Sequence, residues 1–206
     1  ETYYKGIKNL VDFKVGADLQ FNKAIETDLL QGDGRSYGLE LSAKKSNGWF
    51  TGWINYTWSR SFIRLNGDFA EERVNGGDFF KTTYDKPHYL NLVTNYKFTR
   101  RYSLSLNLVY SSGRPVTYPI GKWQFNTAES LQYSERNAFR IPDYFRVDLG
   151  FDIEGSHKIK KLAHSFWTFS IYNLFGRDNA YSIFFKTVGG DVEGYKMTVF
   201  ANPIPT

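Results

Sequence analysis

The sequence predicts an all-β fold of the transmembrane antiparallel β-barrel class, and three observations carry that prediction. Apolar and polar residues alternate with period two through most of the chain, and one of the two faces so formed is free of charge. Aromatic residues make up 18% of the 206 residues and gather at the ends of the apolar faces, where interfacial girdles sit on a membrane wall. The connections between alternating segments are short and long by turns, as periplasmic turns and outer loops are.

The elements follow in order. Residues 3–13 put Tyr3, Ile7, Val11 and Phe13 on one face, with Lys5 and Asn9 interrupting it. In residues 36–45, Tyr37, Leu39, Leu41 and Ala43 alternate with Gly38, Glu40, Ser42 and Lys44. In 49–62, Phe50, Gly52, Ile54, Tyr56 and Trp58 alternate with Thr51, Trp53, Asn55 and Thr57. In 88–98, Leu90, Leu92, Thr94, Tyr96 and Phe98 alternate with Asn91, Val93, Asn95 and Lys97. The clearest strand is 102–111: Tyr102, Leu104, Leu106, Leu108 and Tyr110 form a greasy wall with tyrosines at both ends, backed by Ser103, Ser105, Asn107 and Val109. In 143–154, Phe145, Val147, Leu149, Phe151 and Ile153 oppose Arg146, Asp148, Gly150, Asp152 and Glu154. Residues 165–175 are apolar on both faces, which leaves Phe166, Tyr172 and Leu174 to pack on something inside the lumen.

The charges of these strands, Glu40, Lys44, Lys97, Arg146, Asp148, Asp152 and Glu154, fall opposite the apolar faces. A charge facing lipid near the midplane costs roughly 2–4 kcal/mol, whereas a wet lumen tolerates it. About nine strand residues, tilted, cross the hydrocarbon layer.

Short connections lie at 46–48, 99–101 and 155–164, and long ones at about 14–35, 63–85 and 112–142. With the short turns in the periplasm, 3–13, 49–62, 102–111 and 165–175 run outward. About seven strands result, an odd number, whereas single-chain bacterial barrels close with even counts. The expectation is therefore one partial domain over residues 1–206, a fragment of a larger barrel. Tyr181–Lys186 and Tyr195–Ala201, separated by Gly189, Gly190 and Gly194, are expected as a hairpin above the membrane. Asn202-Pro203-Ile204-Pro205-Thr206 is expected as a turn, because two prolines this close do not belong in a central strand.

No run of about 18 apolar residues marks a transmembrane helix, and no signal peptide is expected within these residues. The mean hydropathy of −0.47 is compatible with a barrel, since half of each strand and all loops are polar. Cysteine is absent, so no thiol nucleophile, Cys-based metal site or disulfide forms. The net charge of +5 is scattered through loops, apart from His157, Lys158, Lys160 and Lys161, and nucleic-acid binding is not expected.

Catalytic residues, a cofactor and a metal site are likewise not expected. Only three histidines are present. Asp85 and His88 flank a proline at a strand start and point to opposite faces, which suits a cap rather than a charge relay. His157 and His164 border a basic turn and lack a carboxylate cluster. Asp148, Asp152 and Glu154 beside Arg146 read as a solvated lumen ladder paired with a neighbouring strand. Gly32-Asp33-Gly34 and Gly76-Gly77-Asp78 read as turn-formers. The long outer loops hold the ligand candidates: Arg64 and Asp68 in the first, and Arg114, Trp123, Tyr133 and Arg136 in the second. Aromatic and arginine side chains together grip sugars, peptides or chelates; the competing reading is that they seal the mouth.

Several stretches resemble one family. Ser36-Tyr-Gly-Leu-Glu-Leu, with Gly48-Trp-Phe-Thr-Gly-Trp-Ile-Asn-Tyr-Thr-Trp-Ser-Arg-Ser, resembles the C-terminal barrel of TonB-dependent outer-membrane transporters. So do Tyr84-Asp85-Lys86-Pro87-His88, Ser112-Gly113-Arg114-Pro115, Pro142-Asp143-Tyr144-Phe145-Arg146-Val147-Asp148 and Asn173-Leu174-Phe175-Gly176. The resemblance implies a barrel of about 22 strands in the bacterial outer membrane. It further implies a plug and a TonB-contacting segment outside this sequence, and a final strand that Asn202 to Thr206 would approach. The function implied is energised uptake of a scarce solute without covalent chemistry. Small solute, peptide and glycan all fit as ligand, and a lipoprotein fits as partner. The alternatives are a plugless or structural barrel in an envelope or secretion assembly, and a soluble β-sandwich binding module.

Overall fold

The computed structural model describes residues 1–14, 24–125, 128–155, 165–188 and 191–205. The chain opens with three long strands, β1 (Thr2–Phe13), β2 (Leu29–Lys45) and β3 (Phe50–Arg64), and a short β4 (Phe80–Lys81). β5 (His88–Lys97) and β6 (Tyr102–Ser111) follow. The next connection contains β7 (Pro115–Val116), β8 (Pro119–Phe125), β9 (Ala128–Tyr133) and β10 (Phe139–Arg140). Then come β11 (Tyr144–Glu154), β12 (Phe166–Tyr172), the hairpin β13 (Ala180–Val188) and β14 (Asp191–Thr198), and β15 (Ile204–Pro205).

The main sheet is an antiparallel meander in the order β1-β2-β3-β5-β6-β11-β12-β15, with β4 on the loop end of β3. Its register brings the alternating faces into line. Ile54 pairs with Leu92, Leu92 with Leu108, and Leu108 with Val147, so one apolar row runs across four strands. On the other face Asn55 pairs with Asn91, Asn91 with Val109, and Val109 with Arg146. The inner face is cross-linked by Ser42 to Asn55 (2.6 Å), Asn107 to Asp148 (3.1 Å) and Thr168 to Asp152 (2.8 Å). Lumen carboxylates are thus bonded to adjacent strands.

The outer face carries two aromatic girdles. At the loop end the rings of Tyr4, Trp58 and Phe62 each lie within 6.4 Å of Tyr37. At the turn end Tyr96 meets Phe98 edge-on at 5.0 Å and Tyr102 stacks on Phe151 at 6.1 Å. Leu, Ile and Val side chains fill the band between them. Charges on this face of β2 and β3 appear only beyond the band, as Lys45 at the turn end and Asp33, Arg35, Arg60 and Arg64 at the loop end.

Several expectations are corrected. Tyr3 and Ile7 do not share a face with Val11 and Phe13. Asn9 takes a left-handed φ of 55° at a bulge between Ile7 and Leu10. The bulge switches the phase of the strand. Tyr4, opposite Tyr37, and then Val11 and Phe13 face outward, while Tyr3, Lys5 and Ile7 face inward. Lys5 is thereby removed from the lipid side and lies over the Tyr3 ring, 5.3 Å from its centroid.

β2 starts at Leu29, not residue 36, because β1 extends to Phe13 and pairs there with Leu29. Gly32-Asp33-Gly34 is consequently strand rather than turn, and its glycines answer a packing need: a Cβ on Gly32 would collide with the Arg64 carbonyl of β3. Gly76 and Gly77 do make a turn, with φ of 69° and 85°.

The last outward strand ends at Tyr172, since Asn173 adopts a φ of 54° and the chain turns. The expected C-terminal turn is only partly right: Asn202 is a bend and Pro203 lies outside any strand, but Ile204 and Pro205 pair with Tyr172 and Ile171 as β15. An edge position needs no donor from Pro205 on its free side. The expected hairpin is present, with its second strand ending at Thr198. His157, Lys158, Lys160, Lys161, His164, Gly189 and Gly190 lie outside the described residues.

Candidate functional site

The described parts of the long connections gather at one end of the sheet and contain short strands and single helical turns. Leu30, Ile63, Leu65, Val74 and Phe80 form a small buried core there, with Leu10 against it. These side chains sit on the inner face, so the first loop folds back over the end of the wall.

Polar side chains bind the loops to one another. Asp85 has a fully buried carboxylate. Its Oδ1 accepts from the Ser61 amide at 2.7 Å and from Arg60 Nε at 3.2 Å, and its Oδ2 accepts from Arg140 Nη2. Arg140 also donates to the Asp85 carbonyl at 2.6 Å and the Gly113 carbonyl at 2.8 Å. One carboxylate therefore joins β3, the first loop and the second loop. His88 takes no part: its Nδ1 lies 2.8 Å from the Tyr56 hydroxyl on the outer face, so Asp85 and His88 form no relay.

A second tie is a reciprocal pair, with the Arg136 amide donating to Asn75 Oδ1 (2.8 Å) and Asn75 Nδ2 donating to the Arg136 carbonyl (2.9 Å). At the start of β11, Asp143 accepts from the Tyr110 hydroxyl at 2.7 Å and the Gly113 amide at 2.8 Å. The Tyr110 bond above all, then the Gly113 N–H, holds the Asp143 carboxyl below the usual carboxylate range. Gly113 is required here, because a Cβ would run into the Ile141 carbonyl.

Asn173 closes the other side. Its Nδ2 donates to Ala201 (2.8 Å), Phe200 (3.2 Å) and Arg177 (3.2 Å) carbonyls, and its own amide donates to Asp148 Oδ1 (3.0 Å). Asn179 exchanges two 2.9 Å bonds with the Phe145 backbone, fixing the base of the hairpin to β11.

The six sequence-derived ligand candidates do not converge. Arg64 is paired with Asp33 at 2.8 Å and lies over the Phe79 ring. Arg136 is spent on the Phe13 carbonyl (2.8 Å) and Asp12 (3.4 Å), an anchor to β1. Asp68 is exposed, and its carbonyl accepts from Arg73. Trp123 is exposed, its Nε1 donating to Gln132 on the same small hairpin, and Tyr133 is exposed beside it. Of the six only Arg114 lines the cavity of about 750 Å³ on the inner face between the ends of β5, β6 and β11 and the base of the β13–β14 hairpin.

Sequence reasoning missed the other residues of that cavity, among them Lys86, Tyr89, Tyr144 and Tyr181. A signal was present for two of them: strand parity puts Tyr89 and Tyr144 on the inner face at the loop end. Tyr172, expected to pack inside the lumen, does so, with its ring against Phe200 and its hydroxyl accepting from Arg146 at 2.8 Å. Phe166 remains exposed.

An antiparallel meander with an uncharged, girdled face and a cross-linked polar face is the wall of a transmembrane β-barrel. The sequence profile of the family described as TonB dependent receptor-like, beta-barrel matches residues 2–174, so the chain belongs to that family. No curated protein and no solved structure matched it. The family is one of bacterial outer-membrane transporters and receptors, not of enzymes.

Proposed function

We propose that residues 1–206 are the C-terminal part of the barrel of an energised outer-membrane transporter that takes up a scarce solute. The family match and the ordered, cross-tied mouth carry this reading. In it the outer loops capture the solute. A plug elsewhere in the polypeptide, coupled to TonB in the inner membrane, then opens a lumen whose lining includes the polar ladder of β2 to β12. The barrel would have about 22 strands. Locking the loops suits capture, because a preorganised site loses less entropy on binding.

The test is comparative uptake in the native organism. Mass spectrometry of the spent medium compares the wild type with a strain lacking the full-length protein, each with and without an uncoupler. At least one solute should be depleted only by energised wild-type cells. Depletion that depends on the protein but survives the uncoupler overturns active transport and favours a passive or structural barrel.

A further inference from the structure

We infer that the inner-face cavity at the loop end is a binding site for an anionic, ring-bearing solute, one with a carboxylate or phosphate group and a flat face. This rests on the transporter reading for its physiological meaning, but its chemistry is read from the cavity itself. Lys86, Arg114 and Arg146 all line it, and among the described residues no Asp or Glu does.

Two carboxylates bond to lining residues and both are already engaged: Asp148 by Arg146 Nε (3.0 Å), Asn107 (3.1 Å) and the Asn173 amide (3.0 Å), and Asp143 by the Tyr110 hydroxyl (2.7 Å) and the Gly113 amide (2.8 Å). Arg146 is held in place by the Asp148 bond, by the Tyr144 and Tyr172 hydroxyls (3.1 and 2.8 Å), and by the Tyr172 ring 4.5 Å below its guanidinium. Lys86 and Arg114 have no ion-pair partner among the described residues, so two cations face the space uncompensated. A cleft walled by protein and lined by one sign of charge focuses its field on a ligand of the opposite sign. Arginine matches carboxylate and phosphate oxygens with its planar fork.

The remaining walls supply the ring preference. Tyr89, Tyr144 and Tyr181 line the same space, and Tyr181 is largely exposed at its edge. Tyrosine offers a flat apolar surface and a hydroxyl at little entropic cost. The volume of about 750 Å³ lies in the range of small-molecule sites. A basic cluster on a flat surface would be an ordinary solvated patch; here the hairpin and the two loops wall a partly open cleft, with Lys86 and Tyr181 exposed at its rim.

The experiment is titration calorimetry on the full-length protein in detergent, with two probes that share a ring and differ in charge, 1-naphthyl phosphate and 1-naphthylmethylammonium. The phosphate should bind saturably and at least about tenfold tighter than the ammonium. Its affinity should fall as salt rises from roughly 0.05 to 0.5 M. The double variant K86Q/R114Q should weaken it by about tenfold or more. Both side chains lack partners, so the fold is retained; unchanged heat-modifiable gel mobility confirms this. Tyr181→Leu should weaken naphthyl phosphate but leave inorganic pyrophosphate binding unchanged.

Absence of saturable phosphate binding, equal binding of the two probes, or indifference to K86Q/R114Q overturns the proposal. TonB plays no part in this measurement. Binding without energised uptake overturns the transport reading alone, and energised uptake without binding overturns this proposal alone.

Discussion

Asp85 is the residue on which the mouth turns. Its carboxylate is wholly buried and satisfied by two arginines and a backbone amide, whereas the arginines keep about a quarter of their side-chain surface in water (26% for Arg60, 25% for Arg140). Removing one partner of a buried ionic cluster leaves the others uncompensated, and the cost is set by the strand amide and guanidinium groups that lose their acceptor. Asp85→Asn is expected to destabilise the folded protein by about 3 kcal/mol, toward the low end for buried pairs because the arginines are part-solvated. Thermal unfolding of the full-length protein in detergent measures this; a stability equal to wild type would mean that the cluster does not hold the loops. Asp143 works through pH. Its folded pKa lies below its ordinary value of 3.8, so its contribution is complete above that value and is lost as pH falls through the lowered pKa. The difference in unfolding midpoint between wild type and Asp143→Asn should be constant from about pH 7 down to pH 5 and shrink below about pH 4. A gap that stays unchanged into strong acid would assign Asp143 a role other than as a charged acceptor.

At the scale of elements, the legible parts were those governed by a period. From β2 to β11 alternation placed the membrane strands to within a few residues, except where β2 runs seven residues further into the loop region, Leu29 in place of residue 36. That extension lies beyond the apolar band, where pairing with β1 rather than burial in lipid decides that a strand forms. β1 was misread because period-two counting assumes an unbroken pleat. The bulge at Asn9 inserts a phase change that only the partner strand reveals, although an asparagine amid conflicting parity is the residue type that tolerates the left-handed region. The end of β12 follows the same logic, since Asn173 reads as one more strand residue until its side chain is seen to collect three carbonyls across a turn. The site was less legible than the wall. Arg136 looked like a ligand-gripping loop arginine, yet it ties the second loop to β1, as Arg140 ties that loop to the first, both over long sequence separations that composition does not encode. Tyr181 reaches the cavity because the hairpin is fastened back over β11, again a long-range fact, and meets Lys86 there from just before β5.

At the scale of the whole molecule, the assignment of inner and outer faces decides how every substitution acts. Leu92 and Val93 are adjacent in β5, equally half-buried and similar in size, yet point to opposite sides of the wall. Leu92 pairs with Ile54 and Leu108 in the middle of the apolar row, between the two girdles. Val93 pairs with Trp53 and Asn107 on the polar face and lines an inner cavity. A soluble sandwich would distinguish them with the same signs, since its apolar face would be a dry core and its polar face bulk water, but no aromatic girdles would be needed, and the solvent that the apolar face requires must be tested separately. In a membrane wall a lysine at Leu92 is placed near the midplane with no water to reach. It should cost roughly 2–4 kcal/mol, with a loss of folded barrel in the outer membrane. The same lysine at Val93 meets a hydrated lumen and neighbouring amides and carboxylates, and should leave assembly near the wild-type level. Heat-modifiable mobility of outer-membrane fractions separates folded from unfolded barrel for Leu92→Lys and Val93→Lys side by side. The decisive control is the purified Leu92→Lys protein without detergent. If the wild type folds with full strand content in that detergent-free buffer and Leu92→Lys unfolds there, the apolar face is a dry core rather than a lipid-facing one, and the membrane orientation of the wall is wrong. If Leu92→Lys is lost only when a bilayer or detergent must be entered, the charge-free band from Ile54 to Val147 is the lipid-facing surface.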